Sequence, residues 1–98
     1  MENTTKMEPD EGSGSERMQI SAREYGALFD IRGLQESAYF MVMTANRKPD
    51  GSYMLVGSPK AFDELRYDLS EEIEFELSAK SKLRHLAKIY DRLSPDDF

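Results

Sequence analysis

Apolar side chains recur along this chain at two spacings, one near four residues and one near two, and the changes of spacing mark its expected elements. Ser21, with Glu24 three residues on and Ile20 before it, is a capping box with a hydrophobic staple onto Tyr25. The spacing predicts a helix over 22–32, with Tyr25, Leu28, Phe29 and Ile31 on its buried side and Gly33 as the left-handed residue that ends it. Residues 38–45 are apolar at odd and even positions alike, which predicts a short strand covered on both faces. Pro49-Asp50-Gly51 is a turn, because proline presets φ and glycine accepts φ > 0. A second strand over 52–57 then returns to make a hairpin, with Arg47 and Lys48 near its tip.

Ser58-Pro59 opens the next helix, a capping hydroxyl followed by a proline whose missing N–H is harmless in the first turn. Phe62, Leu65 and Leu69 form its stripe. Over 72–77 the alternation of glutamates with Ile73, Phe75 and Leu77 competes with a continuation of that stripe. Phe75 falls far from the stripe in a helix but beside Ile73 and Leu77 in a strand, so a third strand is expected. A last helix over 79–93 has Leu83, Leu86, Tyr90 and Leu93 as its seam and is stopped by Ser94-Pro95.

The expected architecture is an α+β single domain over 19–95 in the order α-β-β-α-β-α. Its three-stranded antiparallel sheet has the first strand central, and helices pack mainly on one face. Residues 1–18 hold five acids against two bases around Gly12-Ser13-Gly14-Ser15, and are read as a disordered acidic tail. Residues 96–98 form a short C-terminal tail.

Composition narrows the chemistry. The 98 residues include no cysteine and one histidine, so disulfides, thiolate nucleophiles and thiolate ligands are excluded, and metal or triad chemistry has little to draw on. No catalytic residue, cofactor site or metal site is assigned. No apolar run is long enough for a spanning helix, and the N-terminal residues lack a signal-peptide core; a soluble chain in the cytoplasm, with no membrane contact, is expected. Nineteen acids against 13 bases, a formal charge of −6, disfavour nonspecific binding to phosphate unless the bases cluster.

They do cluster in one place. Residues 78–93 hold five bases against one acid, and Lys80, Arg84, Lys88 and Arg92 fall at successive i+4 positions, forming a ridge about 18 Å long opposite the leucine seam. Residues 58–77 carry seven acids against two bases and offer internal partners for that ridge. Otherwise it is a solvated face, a protein-binding surface or a nucleic-acid contact, and the lack of interleaved aromatics argues against a stacking platform. His85 lies on the same polar face without converging partners. The Gly57-Ser58-Pro59-Lys60 turn lacks the glycine spacing of a phosphate loop and is read as a cap.

A sheet with helices on one side leaves its other side to be covered, and Tyr39, Met41 and Met43 are the candidate interface of that uncovered face. The function expected from these features is a small noncatalytic protein-interaction or regulatory domain, with a homodimer through the sheet as one form. The alternative is a nucleic-acid-binding or transcription-linked accessory protein that uses the basic ridge.

Overall fold

The computed structural model describes residues 15–93. In chain order these form β1 (Glu16–Ile20), α1 (Ala22–Phe29), α2 (Glu36–Met43), β2 (Asn46–Arg47), β3 (Tyr53–Gly57), α3 (Pro59–Glu74) and α4 (Lys80–Leu93). The class is α+β and the sheet is three-stranded and antiparallel, in the order β1-β3-β2. The expected element order is corrected in three places, each with a physical cause.

The first correction is at the start. Arg17-Met18-Gln19-Ile20 alternates polar with apolar, and in β1 the register sets Met18 opposite Leu55 and Ile20 opposite Tyr53. Residues 16–18 therefore belong to a strand and not to a tail; of the rest of the expected tail, Ser15 is exposed ahead of the strand, and residues 1–14, like the C-terminal residues 94–98, lie outside the described residues. The central strand is β3, whose Leu55 is fully buried, and β1 is its edge neighbour.

The second correction concerns 38–45, which holds a helix and not the central strand. In α2, Ala38, Met41 and Val42 are buried at i, i+3 and i+4. Tyr39, Phe40 and Met43 on the outer side are apolar too, which erased the polar contrast that would have marked the helix. No local residue caps it, since Gln35 at the N-cap makes no side-chain cap bond. The cap comes from α3 instead. Asp68 accepts from the Gln35 backbone N–H at 2.9 Å and from Gln35 Nε2 at 3.1 Å, and Glu64 accepts from the Ala38 N–H at 3.1 Å. Carboxylates placed there meet the free N–H groups and the positive end of the helix dipole.

The third correction concerns 72–77. The chain stays helical to Glu74, so Ile73 extends the Leu65–Leu69 stripe and no third strand forms there. The helix ends in a Schellman motif: the Leu77 N–H donates to Glu72 O at 3.0 Å and the Glu76 N–H to Ile73 O at 3.3 Å. Glu76, at φ +50°, takes the left-handed position that glycine usually holds. Phe75 and Leu77 are consequently thrown outward, 58% and 63% exposed.

The remaining expectations fit with small shifts. Ser21 and Glu24 form the full capping box, at 3.1 and 2.9 Å, though α1 stops at Phe29 and Gly33 is not left-handed. Ser58 caps α3 through the Ala61 N–H at 3.1 Å. In the turn, Gly51 at φ +90° closes onto Lys48 O at 2.9 Å. One core joins all the layers: Ile20 and Leu55 of the sheet meet Leu28, Val42, Leu65, Leu69, Leu86 and Ile89 of the four helices. Gly57 permits the closest approach, because a Cβ there would lie 2.5 Å from Met41 Sδ.

Three outcomes test these corrections. Asp68→Ala, which removes the acceptor that caps α2 at Gln35, should cost about 0.5–2 kcal/mol in chemical denaturation, the range for a lost helix cap. Phe75→Asp should change stability by less than about 0.5 kcal/mol, as for a surface site, while Glu76→Gly should raise it by about 1 kcal/mol by relieving the left-handed strain. Loss of several kcal/mol in Phe75→Asp would restore the strand.

Candidate interaction surfaces

The basic ridge of α4 is only partly free. Leu86 and Ile89 turn that helix's seam into the core, and Lys80, Arg84 and Lys88 stand exposed on the opposite side. Four-residue steps drift around the helix, however, and by Arg92 the drift has carried the side chain onto α1. Its guanidinium donates from Nη2 to Glu24 Oε1 at 2.8 Å and from Nη1 to Glu24 Oε2 at 3.3 Å. Lys82, one turn into α4, pairs in the same way with Asp30 at the end of α1. The expected pairing with the acidic 58–77 segment takes another form among the described residues: Glu64 and Asp68 cap α2, Glu72 accepts from the Ser78 hydroxyl, and Asp63 pairs with Arg66 on its own helix.

Glu24 is the buried end of the α1–α4 clasp, 7% exposed. Burial pushes its carboxyl toward the neutral form, but the Arg92 hydrogen bonds, the Ser21 N–H and the charges of Arg92 and His85 outweigh that and hold it below its ordinary value. Ser21 was legible as the local capping partner, but Arg92 and His85 come from α4, with Arg92 68 residues along the chain, so no local pattern revealed them.

The three residues named for a sheet interface are separated by the helix. Met41 is buried at 2% exposure, whereas Tyr39 and Met43 face outward at 49% and 44%. Phe40, 58% exposed, joins them, with its ring edge-on to Tyr39 at 6.2 Å between centroids. The interface candidates therefore lie on a helix surface and not on the sheet. On the sheet itself, Met54 and Val56 alternate with the core positions, and their cross-strand neighbours are Gln19 and Arg17, so that face is mixed in polarity.

A further surface was not anticipated. Tyr25 of α1 stacks on Tyr53 of β3 with centroids 3.9 Å apart and planes 6° from parallel, and Phe29 lies one turn on at 6.0 Å from Tyr25. The Tyr25 hydroxyl donates to Val42 O at 3.0 Å, which anchors the stack to α2; burial, then the neighbouring Tyr53, raises its pKa. Beside this stack opens a groove of about 570 Å³, with Arg23, Gly26, Asp30, Lys82 and the half-buried His85 on its walls. The sequence signals were Tyr25 and Phe29 at i and i+4, but Tyr53 is brought in by the sheet.

Among the described residues no three histidine, cysteine, aspartate or glutamate side chains converge as a metal site, and no helix is long and apolar enough to cross a membrane. No protein-family model, curated protein or solved structure matches this chain. The site must be read from its own chemistry.

The Glu24 clasp has a pH signature. A carboxyl held below its unfolded value, about 4.3 for glutamate, stabilises the fold fully above that pH and loses the contribution as pH falls through the lower folded value. Arg92→Met should therefore cost about 1–2 kcal/mol near neutral pH, the low end for a charged hydrogen bond because the guanidinium is partly in water. The gap from the unaltered chain should close below about pH 4. Denaturation curves at the two pH values check this, and a gap that widens in acid would refute it.

Proposed function

We propose that this chain is a small noncatalytic interaction domain that docks to protein through the outer face of α2. The observation that carries the reading is the apolar stripe Tyr39, Phe40 and Met43, three large side chains left in water by a helix whose other side is already in the core. A helix apolar all round is normally buried on all sides. A contiguous patch of this kind on a small domain fits an interface better than a solvated surface. A second copy is the simplest occupant, because a two-fold axis across the stripe makes it self-complementary.

A chain without cysteine suits the cytoplasm. The nucleic-acid reading keeps Lys80, Arg84 and Lys88 as its support, but engagement of Arg92 by Glu24 shortens the ridge, and the formal charge of −6 opposes it.

Sedimentation at rising concentration tests the proposal. The expected result is a dimer that forms in the micromolar range and is lost in Phe40→Glu plus Met43→Glu, with thermal unfolding of the monomer nearly unchanged because both side chains face water. A strict monomer at high micromolar concentration would overturn self-association. A dimer that survives both glutamates would place the interface elsewhere.

A further inference from the structure

The groove beside the Tyr25–Tyr53 stack contains an unexplained glycine. Gly26 sits inside α1, where glycine weakens a helix relative to alanine. Neither usual reason for a glycine applies: its φ is not positive, and a Cβ built there would have nothing within 4 Å. Gly26 lines the groove, and the missing side chain keeps that wall open between Arg23 and the aromatic floor. The helix thus forgoes stability at a position where a side chain would fill empty space over the floor.

The walls specify what fits. The floor of Tyr25, Phe29 and Tyr53 offers rigid aromatic surface to an apolar anchor, and Phe29 is 54% exposed. On the rim Lys82 is already paired with Asp30, which leaves Arg23 as the lining base without an ion pair among the described residues, with His85 beside it and Lys88 one turn further along the outer face of α4. That excess of positive charge lies in a protein that is acidic as a whole. It complements a carboxylate. A run of phosphates would meet Asp30 on the rim and the negative charge of the rest of the molecule.

We propose that the groove between α1, β3 and α4 binds an acidic peptide segment of a partner protein, with an aromatic side chain seated on Tyr25, Phe29 and Tyr53 and a flanking carboxylate held by Arg23. This rests on the interaction-domain reading but uses a surface separate from the outer face of α2. The site is an open trough, which suits a side chain presented by a peptide.

Titration of the full, isotope-labelled chain with a short end-capped peptide, a phenylalanine flanked by glutamates, tests it by amide chemical shifts. Shifts should concentrate on residues 22–30, 53, 82 and 85, and the affinity should fall as salt is raised. Arg23→Glu should weaken binding about tenfold or more, the equivalent of about 1.4 kcal/mol. Gly26→Ala should raise the melting temperature yet weaken binding, and Gly26→Leu should abolish it, a combination that a purely structural glycine would not produce.

Several results would overturn the proposal: no shifts at millimolar peptide, equal binding of a lysine-flanked peptide, shifts confined to 36–44, or unaltered affinity in Gly26→Leu. Tighter binding of a single-stranded oligonucleotide with a steep salt dependence would reassign the groove to nucleic acid. Sedimentation of the same samples separates the two proposals. A chain that dimerises but ignores the peptide refutes the groove alone, and a monomer that binds it refutes self-association alone.

Discussion

Two carboxylates of α3, Glu64 and Asp68, hold the first turn of α2, and most of what distinguishes this molecule follows from that contact. An isolated helix of eight residues is not stable in water, and this one has no capping side chain of its own. With its N-terminus fixed against α3, its rotation is set. Ala38, Met41 and Val42 turn inward, and Met41 closes against Gly57 at the end of β3. The same rotation leaves Tyr39, Phe40 and Met43 outside. This exposed apolar face is therefore a consequence of how the core is filled.

The polar contacts along α4 play a comparable part on the other flank. Arg92 and Lys82 pair with Glu24 and Asp30 of α1, so the two helices are tied near both ends of their contact. Of the two, the Glu24 pair contributes the more, because its carboxylate is buried and also closes the α1 capping box, whereas the Lys82 pair lies largely in water. Between them the chain leaves the aromatic groove open. A cationic helix lies beside aromatic rings there because α1 and β3 bring the rings to it.

These arrangements place two different surfaces on one small domain, an apolar helix face and a cationic groove with an aromatic floor. They share no residue. The Tyr25 hydroxyl bond to Val42 O nonetheless links the groove floor to the last turn of α2. Tyr39, Phe40 and Met43 of the first and Phe29 of the second are large side chains whose exposure the fold gains nothing from, whereas Tyr25, Tyr53 and Lys82 also hold the groove's own elements together.

Local signals determined much of the framework. The capping box at Ser21, the Ser58-Pro59 helix start, the turn at Gly51 and the leucine seam of α4 are each written within a few residues, because backbone satisfaction at helix ends and turns is short-ranged. The α+β class and a three-stranded antiparallel sheet hold as expected, but of the expected strands only the one over 52–57 forms, and its two neighbours are 16–20 and 46–47. The identity of α2 was not legible, since its caps come from residues about thirty positions away and its outer face mimics a core. The end of α3 was obscured by alternating glutamates, until the left-handed Glu76 and the bonds back to Glu72 and Ile73 showed a helix terminus. Which bases of the ridge stay free, and which rings share a groove, depended on contacts between segments distant in the chain. Period and propensity describe one segment against water. The pairing of Arg92 with Glu24 and of Tyr25 with Tyr53 is decided only when the segments are packed against each other.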